Sequence, residues 1–585
     1  MRRALTLAVA VLIVTTLFAP AVAAAPPGAA DPTASPDVGE PTALQSVGSP
    51  TATDGDARPS ANELRGVSTG GAASTEENGT AEPTEEGDFG DGPVGRVEGY
   101  WYNDSIEVDQ TDGLDEEEME AYVSRSMARV EHIRDRKFRE DVPVDVMTRE
   151  EFREMQESRE SGEAFNRWND QVWKALFVLG ENESSEEEIQ TTLGGSVAGF
   201  YSPADDEIVI VTEDGGDPVI DNSTLVHELN HAMQDQYHNL SAPTYRGATQ
   251  DADLAVDGVV EGESVYVERQ YEQRCESGEW DCVATPSSGS GGDGSEPNLG
   301  IFLTIFQPYS DGPGYVADIY DEEGWEGVAE RMENPPQSSA QVIHRTDREP
   351  VPIEYEDTAT RGWEPYPDQG VDGAETVGEA SIYAMFWYQA RFYEADTIDW
   401  RAFGQASHPY ETYNYVSEPS SGWANDELYP YRRGADEDGY VWVTEWQTER
   451  DAEQFRDAYG EILETHDVQR EDGYHVVEDG PFRGTYLLST DGTRVTIVHG
   501  PSPEAVSQIR PGLAEEMRAE ETTTETTDRP EATDRPDTET PTPADEPSSP
   551  GGTQTEPADI ETPGFGAIAA LAALLAVAAL FRRRR

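Results

Sequence analysis

The stretch Asn222-Ser223-Thr224-Leu225-Val226-His227-Glu228-Leu229-Asn230-His231 decides how the chain is read. Asn222 or Ser223 can cap a helix by accepting a bond from a backbone N–H one turn on. The helix then runs to about Tyr237. Residues four apart share a helix face, so His227 and His231 point the same way about one turn apart. Two imidazoles at that spacing reach one tetrahedral ion. Glu228, beside the first, faces the ion's open position, where a carboxylate can take a proton from water. The pattern therefore predicts a zinc site with His227 and His231 as ligands and Glu228 as general base.

A catalytic zinc usually has three protein ligands and one open position. The residue six positions after His231 is Tyr237, so no third histidine stands there. His238 lies two turns further along the helix, too far to join the tetrahedron. The next expected helix, about Asp253 to Tyr271, offers Glu261, which shares a face with Asp257, Val265 and Glu268. Glu261 is taken as third ligand and Asp257 as the alternative, able instead to orient a ligand histidine. Glu263 points away from that face. Gly258, Gly262 and Ser264 are small enough to let this helix approach a neighbour closely.

Two strands, about Val197 to Tyr201 and Glu207 to Val211, precede the metal helix around the turn Ser202-Pro203-Ala204-Asp205. A strand pair placed there matches the zincin layout, in which an edge strand binds an extended peptide through its backbone. Five segments carry a closer resemblance: Gly199-Phe200-Tyr201-Ser202-Pro203, His227 to Gln236, Val260-Glu261-Gly262-Glu263, Pro335 to His344 and Gly422-Trp423-Ala424-Asn425-Asp426. Together they resemble a family of exported gluzincin-like metallopeptidases of bacteria and archaea, over about Val130 to Val498. The resemblance implies an α+β zincin fold, zinc on His227, His231 and Glu261, and hydrolysis of a peptide or protein substrate. It also implies an oxyanion-stabilising role for a histidine or tyrosine, for which His344 is the candidate. Asn230 departs from the family's usual small hydroxyl residue and is read as lying on the helix's other side. The alternative reading is a non-catalytic cell-envelope glycoprotein built on the same scaffold.

Composition narrows the setting. The chain has 585 residues, with 118 acidic against 40 basic ones, a net charge of −78. Such a surface repels phosphate, which argues against nucleic-acid binding. Lysine occurs only at Lys137 and Lys174. Molar salt would screen the self-repulsion of so many carboxylates, and the composition resembles that of halophile proteins.

Both ends read as addresses. Met1-Arg2-Arg3, an apolar run to Phe18 and Ala21-Val22-Ala23 form a secretory signal, residues 1–23. Pro563-Gly564-Phe565, an apolar run to Phe581 and four terminal arginines resemble the tripartite (PGF-CTERM) sorting signal of archaeal surface proteins. That resemblance implies processing by an archaeosortase-like enzyme and a lipid or membrane anchor. Residues 24–95 are rich in Pro, Gly, Ser, Thr and acid and are read as a disordered linker; residues 519–562 read as a Thr/Glu/Pro stalk. Residues 96–435 are assigned to the metallopeptidase domain and 436–518 to a small α+β domain. In the latter, strand Tyr440 to Trp446, a helix capped by Thr448 and a hairpin turning at Asp491-Gly492 are expected. Cys275 and Cys282 are the only cysteines and are expected to pair outside the cell. Asn78, Asn103, Asn182, Asn222 and Asn239 open Asn-x-Ser/Thr acceptor tripeptides.

Overall fold

The computed structural model describes residues 92–157, 162–194, 197–212, 216–286 and 297–514, which belong to one packed unit. The expected signal segment, most of the linker, the stalk and the C-terminal segment lie outside the described residues. Among those described, no helix is long and apolar enough to cross a membrane.

A short hairpin, β1 (Arg96–Val97) and β2 (Tyr100–Trp101), precedes helix α1 (Glu116–Arg134). A capping box starts α1: Asp115 accepts from the Glu118 N–H, and Glu118 returns the bond. Strand β3 (Val144–Thr148) and helices α2 (Arg149–Glu157), α3 (Glu163–Ala175) and α4 (Ser185–Gly194) follow. The turn at Ser202 to Asp206 then joins β4 (Gly199–Ser202) to β5 (Glu207–Thr212). These strands form a sheet of order β3-β5-β4, with β3 parallel and β4 antiparallel to β5. β4 is thus an edge strand among the described residues.

Helix α5 (Asn222–His238) is capped by Asp221, whose Oδ1 accepts from the Thr224 N–H at 2.9 Å. The cap lies one residue earlier than expected, because Asn222 already has helical geometry and spends its side chain elsewhere. Helix α6 (Gln250–Glu276) packs against α5, and Thr249 caps it by accepting from the Ala252 N–H. Its burial extends around most of its circumference, which explains why its sequence has little amphipathic contrast. Helix α7 (Leu299–Glu333) crosses α6 on another side and breaks at Gly324, where φ is 68°. The approach is close: a Cβ on Gly262 would stand 2.5 Å from the Gly312 carbonyl carbon, and one on Gly258 would stand 2.7 Å from Val342. Val342 lies on helix α8 (Ser339–His344). Gly258 and Gly262 therefore do serve close helix packing, whereas Ser264 faces α5. Helix α9 (Gly378–Phe392) completes the helical layer, and its Phe386 and Trp387 are buried as core.

The second sheet has seven strands: β6 (Glu364–Pro365), β7 (Trp423–Arg433), β8 (Glu437–Trp446), β9 (Gln469–Glu471), β10 (Tyr474–Val477), β11 (Gly484–Asp491) and β12 (Arg494–Gly500). Their order is β6-β7-β8-β12-β11-β10-β9. Helix α10 (Glu449–Thr465), capped by Thr448, covers one face, and α11 (Pro503–Ile509) packs on the other. The β11–β12 hairpin turns at Gly492 (φ 59°), as expected.

A domain boundary at 435/436 would cut the β7–β8 hairpin in its turn. One apolar core joins Phe177, Phe386, Phe455 and Ile497 across that point. The C-terminal sheet therefore recruits β6 and β7 from the stretch assigned to the preceding domain. The architecture is mixed α+β throughout.

Replacing Gly262 with Ala should destabilise the protein by about 1–3 kcal/mol, since the new methyl meets backbone that can yield only if a helix moves. Gly460→Ala in α10 meets nothing within 4 Å and should stabilise by about 0.5–1 kcal/mol. Chemical unfolding of both variants in molar salt reads the two opposite shifts.

Candidate metal centre

The α5–α6 pair brings three acceptors to one point. His227 Nε2 lies 3.1 Å from Glu261 Oε2, and His231 Nε2 lies 3.2 Å from the same oxygen. All three ligand atoms fall within 4.8 Å of one another, and all three residues are buried. A tetrahedral ion with bonds of about 2.0–2.1 Å spaces its ligand atoms roughly 3.4 Å apart, close to the two imidazole–carboxylate distances here.

The far side of each ring is held. His227 Nδ1 faces Glu268 Oε2 at 3.2 Å, and His231 Nδ1 faces Gln234 Oε1 at 2.8 Å. Gln234 is oriented in turn by donating its Nε2–H to the Val260 carbonyl at 2.9 Å. These partners call for a proton on each Nδ1, which turns both Nε2 lone pairs toward Glu261. Two lone pairs and a carboxylate oxygen repel one another unless a cation or proton stands among them. The donor set thus fits a divalent ion of the zinc type.

Glu228 is fully buried and is tied at one oxygen only. Its Oε2 accepts from the Tyr201 N–H of β4 at 2.9 Å, while Oε1 has no partner among the described residues. Burial pushes its carboxyl up to about 7, against the pull of the two histidines. Burial also opposes ionisation of Glu261, but His231 and His227 beside it bring its carboxyl down to about 2. For His227, burial disfavours the imidazolium, yet Glu261 and Glu268 outweigh it and lift the ring well above its ordinary value. His231 is raised as well, burial being overcome chiefly by Glu261.

The structure brings Glu228, His227, His231 and Glu261 together as read from the sequence. Asp257 stays outside the cluster; burial and then Glu261 push its carboxyl well up. His344 bonds instead to the buried carboxylate Glu379, 2.8 and 3.0 Å from its two oxygens, and also stands outside the cluster. Asn230 does not lie on an opposite, uninvolved side. It is fully buried against α6, donates to Ser264 Oγ at 3.0 Å, and Ser264 Oγ lies 3.3 Å from His231 Nδ1. Glu263 points away from the ligands, toward α1, and pairs with the buried Arg134 at 2.6 Å. His238 lies outside the cluster.

Three contributors went unassigned in the sequence. Glu268 was legible, since it lies seven residues from Glu261, two turns along the same face. Gln234, three residues after His231, was legible on the same grounds. Tyr309, whose ring stacks near His227 at 6.2 Å between centroids, comes from α7 and carries no local signal. Cys275, in the last turn of α6, and Cys282, after it, form the expected disulfide.

Comparison with known proteins gives two matches. Residues 364–510, essentially the seven-stranded sheet with its helices, match a domain of unknown function (DUF8575). Residues 562–584 match the PGF-CTERM motif. This is an exported archaeal protein anchored at the cell surface. The motif implies processing by an archaeosortase, and with the acidic composition it supports a haloarchaeal surface protein. No curated protein and no solved structure matches the chain.

Glu268→Gln keeps the shape and removes the charge behind His227. Zinc affinity, measured by competition with a chromophoric chelator, should fall about 10–100-fold. An unchanged affinity would mean that Glu268 does not support the ligand.

Proposed function

We propose that the surface protein is a zinc metallopeptidase with a zincin-like catalytic half. The observation that carries this reading is the free Oε1 of Glu228: a buried carboxylate oxygen, without a partner, beside three converging ligand atoms. Buried polar atoms are rarely left unpaired, and a water at the ligand cluster is the partner that Oε1 lacks.

His227, His231 and Glu261 would hold the ion. Zinc held there supplies Lewis acidity, which acidifies water and polarises a carbonyl. Glu228 takes a proton from the attacking water on Oε1 and returns it to the leaving amine. The Tyr201 N–H fixes the other oxygen, so the carboxylate cannot swing away. A carboxyl lifted to about 7 is matched to both halves of that transfer near neutral pH. Tyr201 lies on β4, the strand whose outer edge is unpaired among the described residues. An extended peptide adding to that edge would run along the strand that holds Glu228. A tether at the cell surface suits a protein or peptide substrate outside the cell or within its envelope.

The Glu228→Gln variant tests the assignment. It should bind zinc as the parent does and hydrolyse a casein substrate in molar salt at least about 100-fold more slowly. Hydrolysis at the parental rate would remove Glu228 as the base. A parent that binds zinc yet cleaves nothing under chelator control would leave the non-catalytic scaffold reading standing.

A further inference from the structure

Four of the five acceptor tripeptides fall among the described residues, and the fold treats their asparagines differently. Asn222 is half-buried in the first turn of α5. Its Nδ2 donates to the Val283 carbonyl at 2.7 Å, and its Oδ1 accepts from the Tyr271 hydroxyl at 3.1 Å. Both ends of the amide are thus engaged, one holding the start of α5 to α6 and the other to the segment after it. Asn182 is exposed, and its Oδ1 accepts from Arg483 at 3.2 Å.

Asn103 and Asn239 differ from both. Asn103 lies in the turn after β2, exposed, with the exposed Ser105 two residues on. Asn239 is the C-cap of α5, exposed, in the left-handed region at φ 55° and ψ 78°. Asparagine tolerates that conformation, and the position lifts its side chain off the end of the helix. Neither amide has a protein partner among the described residues, so a bulky substituent at either would displace none of them.

We propose that Asn103 and Asn239 are N-glycosylated in the exported protein and that Asn222 is not. The sugar donor is an oligosaccharide carried on a lipid phosphate. Each asparagine Nδ2 displaces that phosphate from the anomeric carbon: a C–N bond forms, a C–O bond breaks and the amide gives up one proton. The lipid phosphate leaves as the second product. This assignment is independent of the metal centre, although it has a consequence there. It leaves undisturbed the one asparagine that anchors the start of α5.

Peptide mass mapping of the full-length protein purified from a halophilic archaeal host tests the proposal. Glycan mass is expected on the peptides carrying Asn103 and Asn239, and the peptide carrying Asn222 is expected at its unmodified mass. Ser105→Ala and Ser241→Ala each remove one acceptor tripeptide without touching its asparagine, and each should abolish one glycan and leave the other. An unmodified peptide at residue 103 or 239, or a glycan on Asn222, overturns the proposal.

Discussion

The structure around the candidate metal centre depends on one carboxylate oxygen, Glu261 Oε2, lying about 3 Å from two imidazole nitrogens on a different helix. The spacing within α5 turns its two histidines to one face, and α6 supplies the carboxylate on which both converge. Each ring is pinned from behind by a group that α5 or α6 supplies: Glu268 and Ser264 from α6, Gln234 from α5. The close crossing of α6 on α7 at Gly262 and Gly312 fixes how deep Glu261 sits. Buried charged groups next to the site are paired in the same way: on the side facing α1, Arg134 donates to Glu263 at 2.6 Å.

The site's electrostatics divide its two glutamates by environment. Both are buried in a protein of net charge −78. Glu261 has two imidazoles against it and is held ionised. Glu228 has one backbone N–H, an unpartnered oxygen and a carboxyl near neutrality. A fixed anion beside a carboxylate that can gain and lose a proton is the pairing that ligand and base require.

Much of this was legible in the sequence because the signals are local. The i, i+4 spacing of His227 and His231, Glu261 on the following helix, the strand pair around Ser202 and the hairpin at Gly492 all depend on residues close in the chain. The C-terminal elements fell within a few residues of expectation for the same reason. What could not be read was long-range. The pairing of β7 with β8 is a neighbouring hairpin, but the apolar core shared by Phe177 and Ile497 joins residues more than three hundred positions apart and erases the expected domain boundary. His344 finds Glu379, and His227 finds Tyr309, only through tertiary packing. Asn230 was misplaced because a helix buried on several sides has no idle face, and the sequence does not show which neighbours surround it.

The central claim is that one ion bridges α5 and α6. X-ray absorption at the zinc edge, on protein purified from its host without added metal, tests it most directly. One zinc per chain is expected, with two imidazole nitrogens and carboxylate oxygen at about 2.0–2.2 Å. A protein that carries zinc in only trace amounts, or whose absorption spectrum lacks imidazole, would contradict the account.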